Sequence, residues 1–172
     1  MILQAHSDAS YLTAPKARSR AGGYFFLGSL PRDDHPIHLN GVIDIMCEVL
    51  KSVAASAAEA ELGELFLTAQ KLKIMQLTLT ELGHPQPPTP IHVDNTTTTA
   101  VDICNNTIKR KRSQAMGMRY FWLLDQEAQW MFKFIHQLGQ ENMADHTAAG
   151  HRHARPYYVH TKNSPRFLIP CT

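Results

Sequence analysis

Two acidic residues follow short apolar segments that are typical of β-strands. Asp8 comes soon after the segment 2–6, and Asp94 directly follows Ile91-His92-Val93. In an open sheet with crossover helices, ligands gather at the carboxyl ends of the parallel strands. Several carboxylates meeting there would repel one another unless divalent cations neutralised them, and all-oxygen clusters suit Mg²⁺ or Mn²⁺. Two such ions about 3.5–4 Å apart clamp a phosphodiester for in-line attack.

A third acid is expected from the helix that begins near Ser56, which offers Glu59, Glu61 and Glu64. Its apolar stripe runs through positions 62, 65, 66, 69 and 72. Glu61 lies roughly 60° from the centre of that stripe, whereas Glu59 and Glu64 lie about 100° or more away on opposite flanks. Glu59 is explained as the partner of Ser56 in a capping box. The periodicity therefore predicts that Glu61 points toward the sheet end and that Glu64 is solvated.

Each acid also has an ordinary structural explanation. An aspartate at a strand end, such as Asp8 or Asp94, commonly caps a turn or a helix. Glu61 at the edge of an apolar face can extend its carboxylate into water. Asp145 in "NMADHT" is explained equally well as a solvated helix residue. Spacing alone leaves both interpretations open for all four residues.

The elements that would position these acids follow an order of β-β-β-α-β-α-α-β-α. Predicted strands cover 2–6, 24–30, 42–52, 91–95 and 129–136, and predicted helices cover 56–82, 98–105, 114–126 and 140–150. The segment "LTAPKARSRAGG" is polar and basic and is predicted to be a loop. Three hairpin-linked strands followed by helix-separated strands indicate an α/β fold with one mixed sheet and helices on its faces.

The whole-chain composition is that of a globular protein. With 172 residues, 44% of them hydrophobic and 19% charged, the chain is expected to form one domain over 1–150, with a loosely packed or disordered extension over 151–172. The net charge of +2 is too small to indicate a nucleic-acid partner by itself. Three widely spaced cysteines fit neither a zinc site nor a disulfide framework. No apolar run approaches 18 residues, so we expect an intracellular protein with no membrane partner.

Four segments together resemble a known family. They are "HSDASYLTAPKARSRAGGYFFLG", "KSVAASAAEAELGELFLTAQ", "ELGHPQPPTPIHVDNTTTTAVDICNNTIKRKRSQAMGMRYFWLLDQ" and "NMADHT". In colinear order over about residues 5–147, they resemble the ribonuclease H domain of copia-type LTR retrotransposon Pol polyproteins. This resemblance implies a ribonuclease H-like fold, with a five-stranded mixed sheet flanked by helices. It also implies an endonuclease that hydrolyses the RNA strand of RNA–DNA hybrids with two Mg²⁺ ions, for which Mn²⁺ can substitute.

The resemblance assigns roles residue by residue. The catalytic and metal-binding acids are Asp8 of "SDAS", Glu61 of "AEAEL", Asp94 of "VDN" and Asp145 of "NMAD". Glu61 is also the glutamate that the helical periodicity selects. A possible auxiliary histidine, His136, lies before the last acid and would assist proton transfer or product release. The expected substrate-binding residues beside the acids and along the basic run are Ser10, Asn95, Thr96, Lys109, Arg110, Arg112 and Arg119. A solvated loop or a nuclear-localisation-like patch explains the basic run equally well.

The resemblance also implies a context for the domain. Reverse transcriptase and integrase domains of the parent polyprotein are the expected partners, in a cytoplasmic retrotransposon particle with access to the nucleus. The chain begins at Met1 just before the first strand and reads "ADHTAAGH" where the family has "AD-x-x-TK-H". It therefore resembles a detached or truncated piece. A catalytically degenerate remnant that only binds nucleic acid, or serves as a structural module, is the alternative to an active enzyme.

Overall fold

One mixed β-sheet with helices forms the fold. The structure, a computed structural model, describes residues 1–29, 39–94, 114–137 and 142–145. Its elements are β1 (Ile2–Ala14), β2 (Arg18–Gly28), β3 (Leu39–Val49), α1 (Ala57–Glu81), β4 (Thr89–Val93), α2 (Gln114–Ala128) and β5 (Phe132–His136). The sheet order is β3-β2-β1-β4-β5, with antiparallel pairing among β1, β2 and β3 and parallel pairing of β4 with β1 and β5. The predicted five-stranded mixed sheet is confirmed.

Several predictions concern residues that the structure does not describe. The helix predicted over 98–105, most of the last predicted helix and the extension over 151–172 lie outside the described residues. Within the described residues, no helix is both long enough and apolar enough to cross a membrane.

The hairpin of β1 and β2 is longer than the sequence predicts. The loop predicted over 12–23 is wrong for most of its length, because β1 continues to pair with β2 as far as Ala14 opposite Arg18. The turn itself contains Lys16 and Ala17, with φ values of 60° and 53°. Backbone pairing does not need apolar side chains, and the small residues 21–23 let the two strands run on beyond the apolar segment. Asp8, which was predicted to follow the first strand, therefore lies inside it.

Strand alternation divides the buried side chains between the two faces of the sheet. Leu3 and Phe25 belong to the main core, together with α1 residues such as Leu65. Tyr24 and Phe26 form a second cluster with Met143. Gln4, His6 and His92 are also buried, and the ring centroids of the two histidines are 5.0 Å apart. Both faces of the central strands are therefore buried.

Helix α1 begins as the capping motif predicts. The Ser56 side chain accepts a hydrogen bond from the Glu59 amide, at 3.3 Å. The Glu59 carboxylate accepts one from the Ala55 amide at 2.7 Å, one residue before the amide that a capping box uses. Because two amides at the start of the helix are satisfied, the first turn is fixed just before Glu61.

Candidate active site

Three of the predicted acids line one cleft at the edge of the sheet. In the parallel pairing of β1 with β4, Ser7 lies opposite Val93, so the next residues, Asp8 and Asp94, lie at the same edge. Helix α1 brings Glu61 to the same place. The cleft is lined by Ser7, Asp8, Ala9, Glu61, Glu64, Leu65, Val93 and Asp94.

The charges of the acids act on one another. Burial raises the pKa of Asp8 from 3.8 to about 7, and the negative charges of Asp94, Asp145 and Glu61 contribute to the rise. A hydrogen bond with the Ala9 amide opposes it. Burial also raises the pKa of Asp94, with Asp145 adding to the shift. All four predicted acids therefore contribute to the electrostatics of one site, although the structure leaves Asp145 exposed.

The segment that carries Asp145 is held against β1 by hydrogen bonds. The Asn142 side-chain amide donates to the Ser7 carbonyl at 3.0 Å. The Met143 backbone amide donates to Nδ1 of His6 at 2.9 Å. Asn142, Met143 and Ala144 are buried, so the chain is fixed directly before Asp145. The interactions of Asn142 and His6 were not predicted, because they join segments that are far apart in the chain.

The acids form a donor set of the type that Mg²⁺ prefers. Every candidate ligand is a carboxylate oxygen, and their mutual repulsion would be relieved by a cation. Among the described residues, no three His, Cys, Asp or Glu side chains form a ready-made cage for a metal ion. Mg²⁺ usually keeps several waters and binds one or two carboxylates together with substrate phosphates. The acids thus fit an ion whose coordination the substrate completes.

The predicted exposure of Glu64 is wrong. It was expected to be solvated, but it is 1% exposed. Its Oε1 accepts a hydrogen bond from Thr68 Oγ1 at 2.6 Å, and its Oε2 accepts one from Ser7 Oγ. Burial raises the pKa of Glu64 well above its ordinary value, against the effect of these two hydrogen bonds. The prediction failed because α1 packs on both the sheet and α2, which buries a wider arc than its apolar stripe indicates. The four-residue spacing of Glu64 and Thr68 was the available signal.

His136 lies beside Asp94. It is the last residue of β5, opposite Val93 in the parallel pairing with β4. Its Nε2 is 3.1 Å from the Asp94 carbonyl oxygen. Since a carbonyl only accepts, Nε2 carries the hydrogen in this contact. The contact therefore holds the backbone of Asp94, while its side chain remains available to the cleft.

The predicted substrate-binding residues have different positions. Ser10 is half-buried in β1, two residues beyond Asp8, and its carbonyl accepts a hydrogen bond from Thr13. Arg119 lies against α1, with its Cζ 5.7 Å from the centre of the Phe66 ring. The cleft-lining residues do not include Arg119. Asn95, Thr96, Lys109, Arg110 and Arg112 lie outside the described residues.

Solved structures of two ribonucleases H and of a viral protease-reverse transcriptase have a similar fold. LC11-RNase H1, solved in complex with an RNA/DNA hybrid, is 9% identical, with a TM-score of 0.55 over 84% of this chain and 92% of that chain. RNase H1 of Halobacterium salinarum is 14% identical, with a TM-score of 0.54 over 86% of this chain and 95% of that chain. The foamy viral protease-reverse transcriptase, solved in complex with dsDNA, is 14% identical, with a TM-score of 0.51 over 85% and 90% of the two chains.

These likenesses establish a ribonuclease H-like fold. No family model and no curated protein matches the chain. The chain is thus similar to ribonucleases H in the arrangement of its strands and helices. At these low sequence identities, the similarity concerns the fold alone.

Proposed function

We propose that this protein is a metal-dependent endonuclease that hydrolyses the RNA strand of RNA–DNA hybrids. The observation that carries the proposal is the meeting of Asp8, Glu61 and Asp94 in one cleft at the sheet edge. They come from a strand, a helix and the end of a second strand, and Asp145 adds its charge to the same site. The ribonuclease H-like fold supports the proposal. We assign all four acids to catalysis and metal binding.

The proposed cofactor is a pair of Mg²⁺ ions, for which Mn²⁺ can substitute. When bound, the ions supply a water of lowered pKa and stabilise the leaving 3′ oxygen. Asp8 and Asp94 directly follow the paired residues Ser7 and Val93, so the two carboxylates would hold the ions from neighbouring strands. Glu61 brings a further carboxylate from α1. His136 fixes the Asp94 backbone, which limits the directions in which that carboxylate can point.

Hybrid recognition is proposed to use residues next to the acids. Ser10 continues β1 beyond Asp8 and offers a hydroxyl to a 2′-hydroxyl of the RNA strand. Asn95 and Thr96 follow Asp94 in the chain and are proposed for similar contacts. Lys109, Arg110 and Arg112 are proposed to bind phosphates, and Arg119 to do so from its position on α2. Phosphate contacts of this kind predict affinity that weakens with added salt.

The proposed setting is retrotransposon reverse transcription. The resemblance to copia-type Pol polyproteins supports reverse transcriptase and integrase domains as partners, and a cytoplasmic particle with access to the nucleus as the location. We propose that residues 1–150 act as the ribonuclease H-like domain and that 151–172 form an extension to it.

A cleavage assay tests the proposal. The protein is incubated with an RNA–DNA hybrid labelled on the RNA strand, in the presence of Mg²⁺. RNA–RNA and DNA–DNA duplexes of the same sequence serve as substrate controls. Asp94→Asn keeps the size of the side chain and removes its charge, so it is expected to abolish cleavage. Asp125→Asn makes the same chemical change at an exposed site near the end of α2 and is expected to keep full activity.

The possible outcomes separate the enzyme from its alternative. Cleavage of the hybrid alone, lost in Asp94→Asn and kept in Asp125→Asn, supports the proposed function. Binding of the hybrid without cleavage by the parent would indicate the degenerate, nucleic-acid-binding module instead. Cleavage that persists in Asp94→Asn, or in the presence of EDTA, would refute the assigned mechanism.

A further inference from the structure

A buried hydrogen-bonded cluster lies directly beneath the proposed acids. It consists of Ser7 in β1 with Glu64 and Thr68 in α1, all three buried. The Ser7 hydroxyl bonds to one carboxylate oxygen of Glu64, and the Thr68 hydroxyl bonds to the other. The cluster is therefore internally satisfied and needs no ligand of its own.

The position of the Ser7–Glu64 bond gives it a further consequence. Ser7 immediately precedes Asp8 in β1, and Glu64 lies one helical turn after Glu61 in α1. The bond thus joins the two elements that present Asp8 and Glu61, at the point where both enter the cleft. The Thr68–Glu64 bond, in contrast, lies within α1 and joins no second element.

Ser7 is also connected to the remaining acids. Its carbonyl accepts the Asn142 side-chain amide at 3.0 Å, three residues before Asp145. In the sheet it lies opposite Val93, the residue before Asp94. One residue therefore has contacts that lead to all four elements of the proposed site.

A glycine on the neighbouring strand makes room for the cluster. Gly23 of β2 pairs with Ser7. A Cβ atom at this glycine would lie only 3.1 Å from Thr68 Oγ1. The absence of a side chain is therefore what lets the α1 hydroxyl approach the sheet. Burying a carboxyl is costly compared with an apolar residue of similar volume, so packing alone does not explain Glu64.

We propose that Glu64 is a positioning residue, which acts through Ser7 to set the spacing of Asp8 and Glu61 for metal binding. This inference rests on the proposed function, since it concerns how the same acids hold their ions. Glu64 itself is not assigned as a ligand, because both of its oxygens already accept hydrogen bonds. Residues that orient ligands from behind typically change metal affinity about 10–100-fold when they are removed.

A matched pair of variants tests the proposal. Ser7→Ala removes the bond between the two elements and leaves Glu64 Oε2 without its partner. Thr68→Val removes the bond within α1 and leaves Glu64 Oε1 without its partner. Each loses one buried hydroxyl, so both are expected to lower Tm by similar amounts. Mn²⁺ binding is measured directly by calorimetry, together with kcat and KM for the hybrid.

The expected result is a difference between the two variants. Ser7→Ala should weaken Mn²⁺ binding about tenfold and lower kcat with little change in KM, whereas Thr68→Val should stay within about twofold of the parent. Equal effects in both variants, or none in either, would overturn the positioning role. Failure of the parent itself to bind Mn²⁺ would refute the proposed function, and the inference with it.

A second pair covers the case in which Ser7→Ala does not fold. Glu64→Gln keeps the size of the side chain and can satisfy both hydroxyls, so it should bind Mn²⁺ as the parent does. Glu64→Leu introduces an apolar side chain of similar size that can form neither bond, and it should bind Mn²⁺ about tenfold more weakly. Weak binding by Glu64→Gln would contradict a role that depends on hydrogen bonding.

Discussion

The proposed site should destabilise the metal-free protein, and Asp8→Asn should reveal by how much. Asp8 is half-buried in β1, and its pKa is about 7 instead of 3.8. Between these two values the folded state retains a proton that the unfolded state has released. Stability should therefore fall as the pH rises through this window and remain lower above it. Asparagine resembles the protonated acid and can still accept the hydrogen bond of the Ala9 amide, so the variant should avoid this loss.

The magnitude follows from the size of the pKa change. Each pKa unit corresponds to about 1.4 kcal/mol, so a rise from 3.8 to about 7 sets an upper limit of about 4 kcal/mol. Asp8 is partly in contact with solvent, and neighbouring carboxylates can take up protons in its place, which reduces the effect to about 2 kcal/mol. For a chain of this size, that corresponds to a Tm higher by about 4–8 °C for Asp8→Asn above pH 7.

The assay is urea unfolding in EDTA at several values between pH 4.5 and 8, for the parent, Asp8→Asn and Asp125→Asn. The advantage of Asp8→Asn should be small at pH 4.5 and greatest at pH 8. Asp125→Asn, which changes an exposed carboxylate, should show no comparable trend. Added Mg²⁺ should stabilise the parent more than Asp8→Asn. An advantage that does not vary with pH, or a variant less stable than the parent at pH 8, would refute the reasoning.

Two further predictions concern the interior. His92 is buried, and burial lowers its pKa from 6.5 to about 4. As the pH falls below 6.5, the histidine is therefore protonated in the unfolded state but stays neutral in the folded state. Between pH 7 and 5, the free energy of unfolding of His92→Asn should therefore fall by about 1–2 kcal/mol less than that of the parent, as measured by urea unfolding. An equal fall in both proteins would contradict a buried, neutral His92. Gly23→Ala should lower the free energy of unfolding by about 1–3 kcal/mol, because its Cβ would lie only 3.1 Å from Thr68 Oγ1 and from the Phe25 ring. Gly117→Ala in α2, with no neighbouring atom within 4 Å of its Cβ, should instead stabilise by about 0.5–1 kcal/mol, and thermal unfolding distinguishes the two signs.

The order of the strands and helices was predictable because it depends on local signals. The β-branched segment before Asp94 and the change to a helical period after Ser56 identify elements whose order limits the topology. Glu61 was predicted from its angle to the apolar stripe, and the structure places it in the cleft. His136 was suggested only by its distance from the last acid, yet it lies beside Asp94.

The remainder depends on tertiary contacts that a single sequence does not contain. Glu64 is polar and lies off the apolar stripe, so no periodicity predicts that Ser7 and Thr68 will satisfy it. The hairpin beyond His6 depends on pairing between strands whose side chains are too small and polar to indicate a strand. In both cases a neighbour elsewhere in the chain, and not the local pattern, decides the structure.

The parallel pairing of β1 with β4 also determines when the site can exist during folding. Gln4 and His92, whose side chains meet across these strands, are 88 positions apart in the chain. Closing so large a loop is entropically slow, and such nonlocal contacts tend to form after hairpins and helices. The β1–β2 hairpin and α1 can therefore assemble while Asp8 and Asp94 are still far apart. Metal binding, measured in real time during refolding, would then report the last docking step of the central strands.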